Sequence, residues 1–168
     1  MNTNTIYNEN CLITMAKIPN DFVELILTSP PYDSMRDYHN TDFDFKAIAK
    51  ELYRIIKDGC VLVWIVGDAT VKGNETGTSF QQAIYFKEIN FNLFDTMIYA
   101  KQSRGAVGNN KSYWQTFEYM FVLSKGHPKT INLLRDRPNK ESRKGDTGTK
   151  RLQNGDLIQI KRAGYAQF

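Results

Sequence analysis

The sequence predicts an α/β fold, a sheet with helices packed on its faces. Three observations carry this. Short, nearly continuous apolar runs suit buried strands, an amphipathic helical repeat lies between the first two of them, and the resulting order is β-α-β-α. The 168 residues suffice for one compact domain with a core of its own.

The first element is DFVELILTS, residues 21–29, whose apolar run reads as a buried parallel strand. It runs into Pro30-Pro31. Proline lacks an N–H and fixes its φ, so this pair ends any sheet ladder and holds Tyr32 out beyond the strand. Next, over residues 41–59, Phe45, Ile48, Ala49, Leu52, Tyr53 and Ile56 recur at helical spacing and form one apolar face. Asp42 or Asp44 can cap its start, and Gly59 suits its C-terminal stop. CVLVWIVG, residues 60–67, is a second buried strand. SFQQAIYFKEINF, residues 79–91, reads as a helix with Ser79 as its cap. LFDTMIYAK (93–101) and FEYMFVLSK (117–125) read as two further strands. Only the loop 102–116 separates them, so an antiparallel pair is expected. There is no internal repeat.

Composition narrows the class. No apolar run approaches the ~18 residues that span a bilayer, and the opening MNTNTIYNEN lacks the charged-then-apolar plan of a signal peptide. Cys11 and Cys60 form no metal-binding spacing, and His39 and His127 stand isolated. A reduced, cytoplasmic protein without a metal site is expected. Charge is unevenly spread: residues 1–124 carry a net charge of −3, whereas 125–168 carry +7. A basic segment of that kind suits a polyanion such as nucleic acid, or is a solvated tail.

In open α/β sheets, ligands gather at the carboxyl ends of the strands. TSPPY (28–32) follows the first strand and GDATVKGNETGTS (67–79) the second, so both loops are expected along one rim. Without a Gly-Lys-Ser/Thr, the glycines of the second loop are not a phosphate-cradling P-loop.

At these residues the chain resembles the amino-methylating DNA methyltransferases, which transfer a methyl group from S-adenosylmethionine to N6 of adenine or N4 of cytosine. Their signature is Asp, Asn or Ser followed by Pro-Pro and an aromatic at a strand end, matched here by Ser29-Pro30-Pro31-Tyr32. Residues 6–32 resemble the opening of the circularly permuted, β-type members, and 58–101 and 113–126 resemble their subsequent blocks. The resemblance implies a Rossmann-like methyltransferase sheet with helices on both faces. Residues 1–124 would be the catalytic half, and 125–168 the start of a target-recognition region. It implies double-stranded DNA as partner and S-adenosylmethionine as cofactor. The family's main cofactor motif, a Phe-x-Gly-x-Gly turn, is missing. The strands of the cofactor-binding half are therefore expected to be absent, which would leave FVELILTS (22–29) at or near an exposed edge with apolar side chains suited to burial on both faces. The resemblance is to an N-terminal portion only: a truncated product, or one chain of a split enzyme completed by a second chain. The alternative is a catalytically inactive nucleic-acid-binding fragment.

The chemistry accounts for the residue types. An exocyclic amino group is a poor nucleophile because its lone pair is conjugated into the ring. Two acceptors that take both N–H bonds favour a pyramidal nitrogen, and the Ser29 hydroxyl and the Pro30 carbonyl are candidates for them. Pro31 stiffens the segment, and Tyr32 would stack on a base flipped out of the duplex, an interaction worth about 1–3 kcal/mol. Ser rather than Asp before Pro-Pro slightly favours cytosine N4 over adenine N6. Asp68 orients the target base or caps the following loop. Trp114 and Phe117 line the base pocket or pack the sheet. Arg36 meets a phosphate, or pairs with Asp33 or Asp37. Lys144, Lys150, Arg151, Lys161 and Arg162 are the candidate DNA contacts of the basic segment.

Overall fold

The computed structural model describes residues 4–31, 43–101, 116–130 and 147–161. The chain forms two compact units, Met1–Thr130 and Ile131–Phe168. In the first, the elements are α1 (Cys11–Ala16), β1 (Val23–Thr28), α2 (Phe45–Ile55), β2 (Ile56–Val66), β3 (Thr70–Val71), β4 (Asn74–Glu75), α3 (Thr78–Glu88), β5 (Phe91–Ala100) and β6 (Phe117–Lys125). Four strands form one sheet in the order β1-β2-β6-β5. β1 and β2 run parallel, and the pairs β2–β6 and β5–β6 are antiparallel. The α/β order and the antiparallel pairing of β5 with β6 are as the sequence implies.

The core lies between the sheet and its helices. Phe45 of α2 and Phe86 of α3 both meet Trp64 of β2, with ring centroids 5.9 and 5.1 Å away. Met15 of α1 and Ile48, Ala49 and Leu52 of α2 belong to the same cluster, as do Phe121 and Leu123 of β6. All three helices therefore lie on one face of the sheet. The fold is a partial Rossmann-like one, but the expected helices of the second face do not occur among the described residues. On that face strand alternation places Leu25 and Leu27 beside Val61 and Val63, with Val122 beyond.

Among the described residues β1 is parallel and lies at the sheet edge, as expected where the strands of the cofactor-binding half are absent, so its apolar run is not buried here: Leu25 and Leu27 are 62% and 66% exposed. Two local expectations are corrected. α2 is capped by Asp44, whose carboxylate accepts from Ala47 N–H at 3.0 Å, yet it ends at Ile55 and not at Gly59. Ile56 is fully buried and already extended, so tertiary pairing with Val23 ends the helix early. Gly59 instead sits where the β1–β2 register is irregular, at φ +77°, and a Cβ there would lie 2.5 Å from Lys129 Cγ. Ser79 lies inside α3 and does not cap it; the N-cap is Gly77 at φ +67°.

α1 escaped the periodicity reading because it is only six residues long. Its cap is explicit, with the Asn10 side chain accepting from Leu12 N–H at 2.9 Å. Arg54 fixes the segment after it: its guanidinium donates to the Met15 and Ile18 carbonyls at 2.7 and 2.8 Å and to Glu51.

The second unit contains an antiparallel ribbon, β7 (Thr147–Arg151) and β8 (Leu157–Lys161), closed through Leu152 N–H to the Asp156 carbonyl at 2.8 Å. Strands of five residues are too short to announce themselves in a basic segment. No helix among the described residues is long and apolar enough to cross a membrane.

Candidate active site at the carboxyl-end rim

Parallel pairing aligns Thr28 with Trp64, so β1 and β2 reach the same end of the sheet. Ser29-Pro30-Pro31 leaves the first and Gly67-Asp68 the second, as the rim expectation requires. Pro30 is buried, Pro31 half-buried and Ser29 exposed. The sequence thus places a stiff segment with an accessible hydroxyl at its head. Phe117 opens β6 at this end too, since Tyr119 pairs with Val66. Tyr32, Arg36 and Trp114 lie outside the described residues.

Beside the Ser29 segment is a cavity of about 710 Å³. Its wall is apolar, formed by Met15, Ile26, Ile48, Leu52 and Trp64, with Phe43 at one side. Glu9, Asn10 and Ser29 bring polar groups to it. The Glu9 carboxylate accepts from Lys17 Nζ and Thr14 Oγ1, each at 2.8 Å, and the Lys17 hydrogen bond holds it below the ordinary carboxylate value. The α1 contribution to this cavity was missed from sequence; Asn10 ahead of an apolar run was the available signal.

Asp68 is buried, 3% exposed. One carboxylate oxygen accepts from Ser79 N–H at 2.8 Å and the other from Ser79 Oγ at 2.5 Å. This carboxylate anchors the first turn of α3, where the helix dipole favours a negative charge. Of its two readings, the geometry displays the one that ties down the loop. The buried Gln82 was also not anticipated: its Oε1 accepts from Trp64 Nε1–H at 2.8 Å and holds the wall of the cavity. Phe117 begins a row of rings along β6, 5.4 Å from Tyr119, which stacks 5.8 Å from Phe121. Its ring is thus engaged with the sheet.

Of the basic candidates, Lys150 and Arg151 are exposed on β7, and Arg151 also donates to the Gly155 carbonyl at 3.1 Å. Lys161 ends β8 opposite Thr147 in backbone register. Lys144 and Arg162 lie outside the described residues.

Residues 23–162 match the family described as DNA methylase, of the N6 and N4 type. The chain belongs to this family. One relative, the orphan methyltransferase M.BamHII of Bacillus amyloliquefaciens, is 54% identical over 138 residues, covering 81% of this chain and 52% of its own. The chain thus spans about half the length of that relative. Among solved structures, the cytosine-N4-specific PvuII DNA methyltransferase aligns over 73% of this chain and 50% of its own, with a TM-score of 0.60 at 19% identity. TTHA0409 of Thermus thermophilus, solved with S-adenosyl-L-methionine, aligns over 80% and 56%, with a TM-score of 0.52 at 22% identity. These two likenesses show that the methylase sheet is the shared fold.

Proposed function

We propose that this chain is the catalytic half of an S-adenosylmethionine-dependent DNA amino-methyltransferase, with cytosine N4 slightly favoured over adenine N6. The observation that carries this reading is the rim: Ser29-Pro30-Pro31 leaves a parallel strand beside a largely apolar cavity of about 710 Å³, in the usual range for small-ligand sites. Ser29 Oγ and the Pro30 carbonyl accept the two N–H bonds of the target amino group. Its lone pair is then freed from the ring and aimed at the methyl carbon. Tyr32 stacks on the flipped base. The C–N bond would form as the methyl–sulfur bond breaks, its electron pair staying on sulfur, and the proton would then pass from the methylated nitrogen to water, so the residues here act by orientation and not by strong basicity.

S-adenosylmethionine supplies the electrophilic methyl when bound. The cavity wall of Met15, Ile26, Leu52 and Trp64 fits the apolar and flat parts of that cofactor, and Glu9, Asn10 and Ser29 bring polar groups to the same cavity. The exposed edge of β1, with Leu25 and Leu27 uncovered, supports a second half of the enzyme adding its strands there. Titration calorimetry of the 168-residue chain alone is accordingly expected to show no measurable cofactor binding. Micromolar binding by a stable monomer would sink the two-half reading.

The catalytic reading is tested in a full-length chimera that joins this chain to the second half of M.BamHII. Ser29→Ala and Tyr32→Ala should each lower tritiated-methyl transfer to DNA strongly, with the circular dichroism spectrum unchanged. Near-normal turnover by both removes the mechanism.

A catalytically inactive DNA-binding fragment is the second reading, favoured by the +7 charge of residues 125–168. In either case DNA binding should weaken steeply with salt. Neutralising Lys144, Lys150, Arg151, Lys161 and Arg162 together should flatten the logarithmic salt slope by about 0.9 for each phosphate that these side chains no longer neutralise. A salt-independent affinity would show that this segment is not the DNA surface.

A further inference from the structure

At the opposite end of the sheet from β1, β5 pairs among the described residues only with β6. Natural edge strands are usually short, bulged, or guarded by charge or proline. β5 is ten residues long; its register with β6 is irregular between Leu93 and Asp95 and regular from Asp95 to Ala100. Met97, Ile98 and Tyr99 are each about half exposed, which bares apolar groups on both faces of one edge. The neighbouring helix extends the patch. Ile98 pairs with Tyr119, whose ring lies 5.0 Å from Phe80 of α3, and both Phe80 and Ile84 are exposed.

We propose that this edge is a dimer interface, in which β5 of a second copy of the chain pairs antiparallel with β5 about a two-fold axis at Ile98. Lys101 N–H donates to the Thr116 carbonyl at 2.8 Å. By antiparallel alternation Tyr99 and Met97 also face β6, which leaves the backbone groups of Thr96, Ile98 and Ala100 directed outward; in the single chain the Thr96 N–H donates to the carboxylate of its neighbour Asp95 at 2.8 Å, a local bond that pairing would exchange for one across the axis. Pairing about Ile98 joins those groups across the axis. It sets Met97 against Tyr99 twice, and it sets Asp95 against Lys101 twice. Sliding one copy by two residues puts Asp95 against Tyr99 or Lys101 against Met97, so charge complementarity selects the register. Asp95 is exposed, and Lys101 already pairs with Glu118, so it would lie between two carboxylates. The contact is self-complementary and closes at two copies. It would extend the four-stranded sheet to eight and leave β1 and the Ser29 rim free.

Sedimentation velocity of the full chain tests this directly. The wild type should be dimeric at micromolar concentration, and Ile98→Lys should be monomeric. Asp95→Lys sets like charges opposite each other twice and should raise the dimer dissociation constant about tenfold. The double variant Asp95→Lys/Lys101→Asp should restore it, a rescue that a merely destabilised fold would not produce. Leu27→Lys, on the other edge, should leave the dimer unchanged. A wild-type monomer, a dimer indifferent to Ile98→Lys, or a double variant no tighter than Asp95→Lys each overturns the proposal. None of these readouts depends on methylation or on DNA.

Discussion

The two faces of the sheet have opposite fates. On one, Leu62, Trp64, Val66, Phe121 and Leu123 are at most 3% exposed beneath three helices. On the other, Leu25 and Leu27 stand largely in solvent on a strand that, among the described residues, pairs on one side only. The alternating side chains of one strand, β1, serve both faces, so composition cannot explain the difference. The difference lies in what this stretch of chain contributes to each side. Among the described residues helices cover the first face and none covers the second, which presents apolar surface of the kind that marks an interaction site.

The sharpest way to break the comparison is to damage the covered face. Phe86 is fully buried and meets the rings of Phe45, Trp64 and Phe91. Phe86→Ala should cost about 3–5 kcal/mol, read from urea unfolding, because the cavity it leaves cannot collapse among three rings. A loss below about 1 kcal/mol would mean that the helices are held otherwise.

The bare face should respond differently. Leu25→Lys with Leu27→Lys should change the stability of the chain by no more than about 0.5 kcal/mol, since both side chains are already exposed. The same pair should abolish co-elution with the second half of M.BamHII, if that half adds its strands at β1. A large stability loss would show that this face is covered in solution.

The smallest effect concerns pH. The Arg54 hydrogen bond holds Glu51 below its ordinary value. Its folded-state value is thus the lower one, so its contribution is complete above the usual carboxylate value of about 4.3. That contribution is lost as pH falls through the depressed value. Glu51→Gln should flatten the acid limb of the stability curve slightly, because both partners are partly exposed. An unchanged acid limb would remove the pair from the account.

Particular residues show how far the sequence could be read. The α2 face was visible because Phe45, Ile48, Ala49 and Leu52 repeat at helical spacing, and Asp44 is a side chain that can only accept at a helix start. The Ser29-Pro30-Pro31 turn was visible because proline dictates its own backbone. Asp68 was placed at the rim correctly by position, but its partner Ser79 lies eleven residues away, and no local pattern joins them. Gly59 was recognised as special, and only the register between β1 and β2 showed that it marks an irregularity in a strand and not a helix end.

By itself the sequence determined the α/β order, the end of β1 and the residues that stand at the carboxyl-end rim. Those properties follow from local chemistry: side-chain period, proline's fixed φ, and charge. Tertiary structure alone decided that all the described helices share one face, and that Trp64, Ile26 and α1 line an open cavity beside Ser29. A strand built for burial carries the same residues whether or not its neighbour is present. Whether it is buried depends on which segments pair with it, and pairing joins residues far apart in the chain.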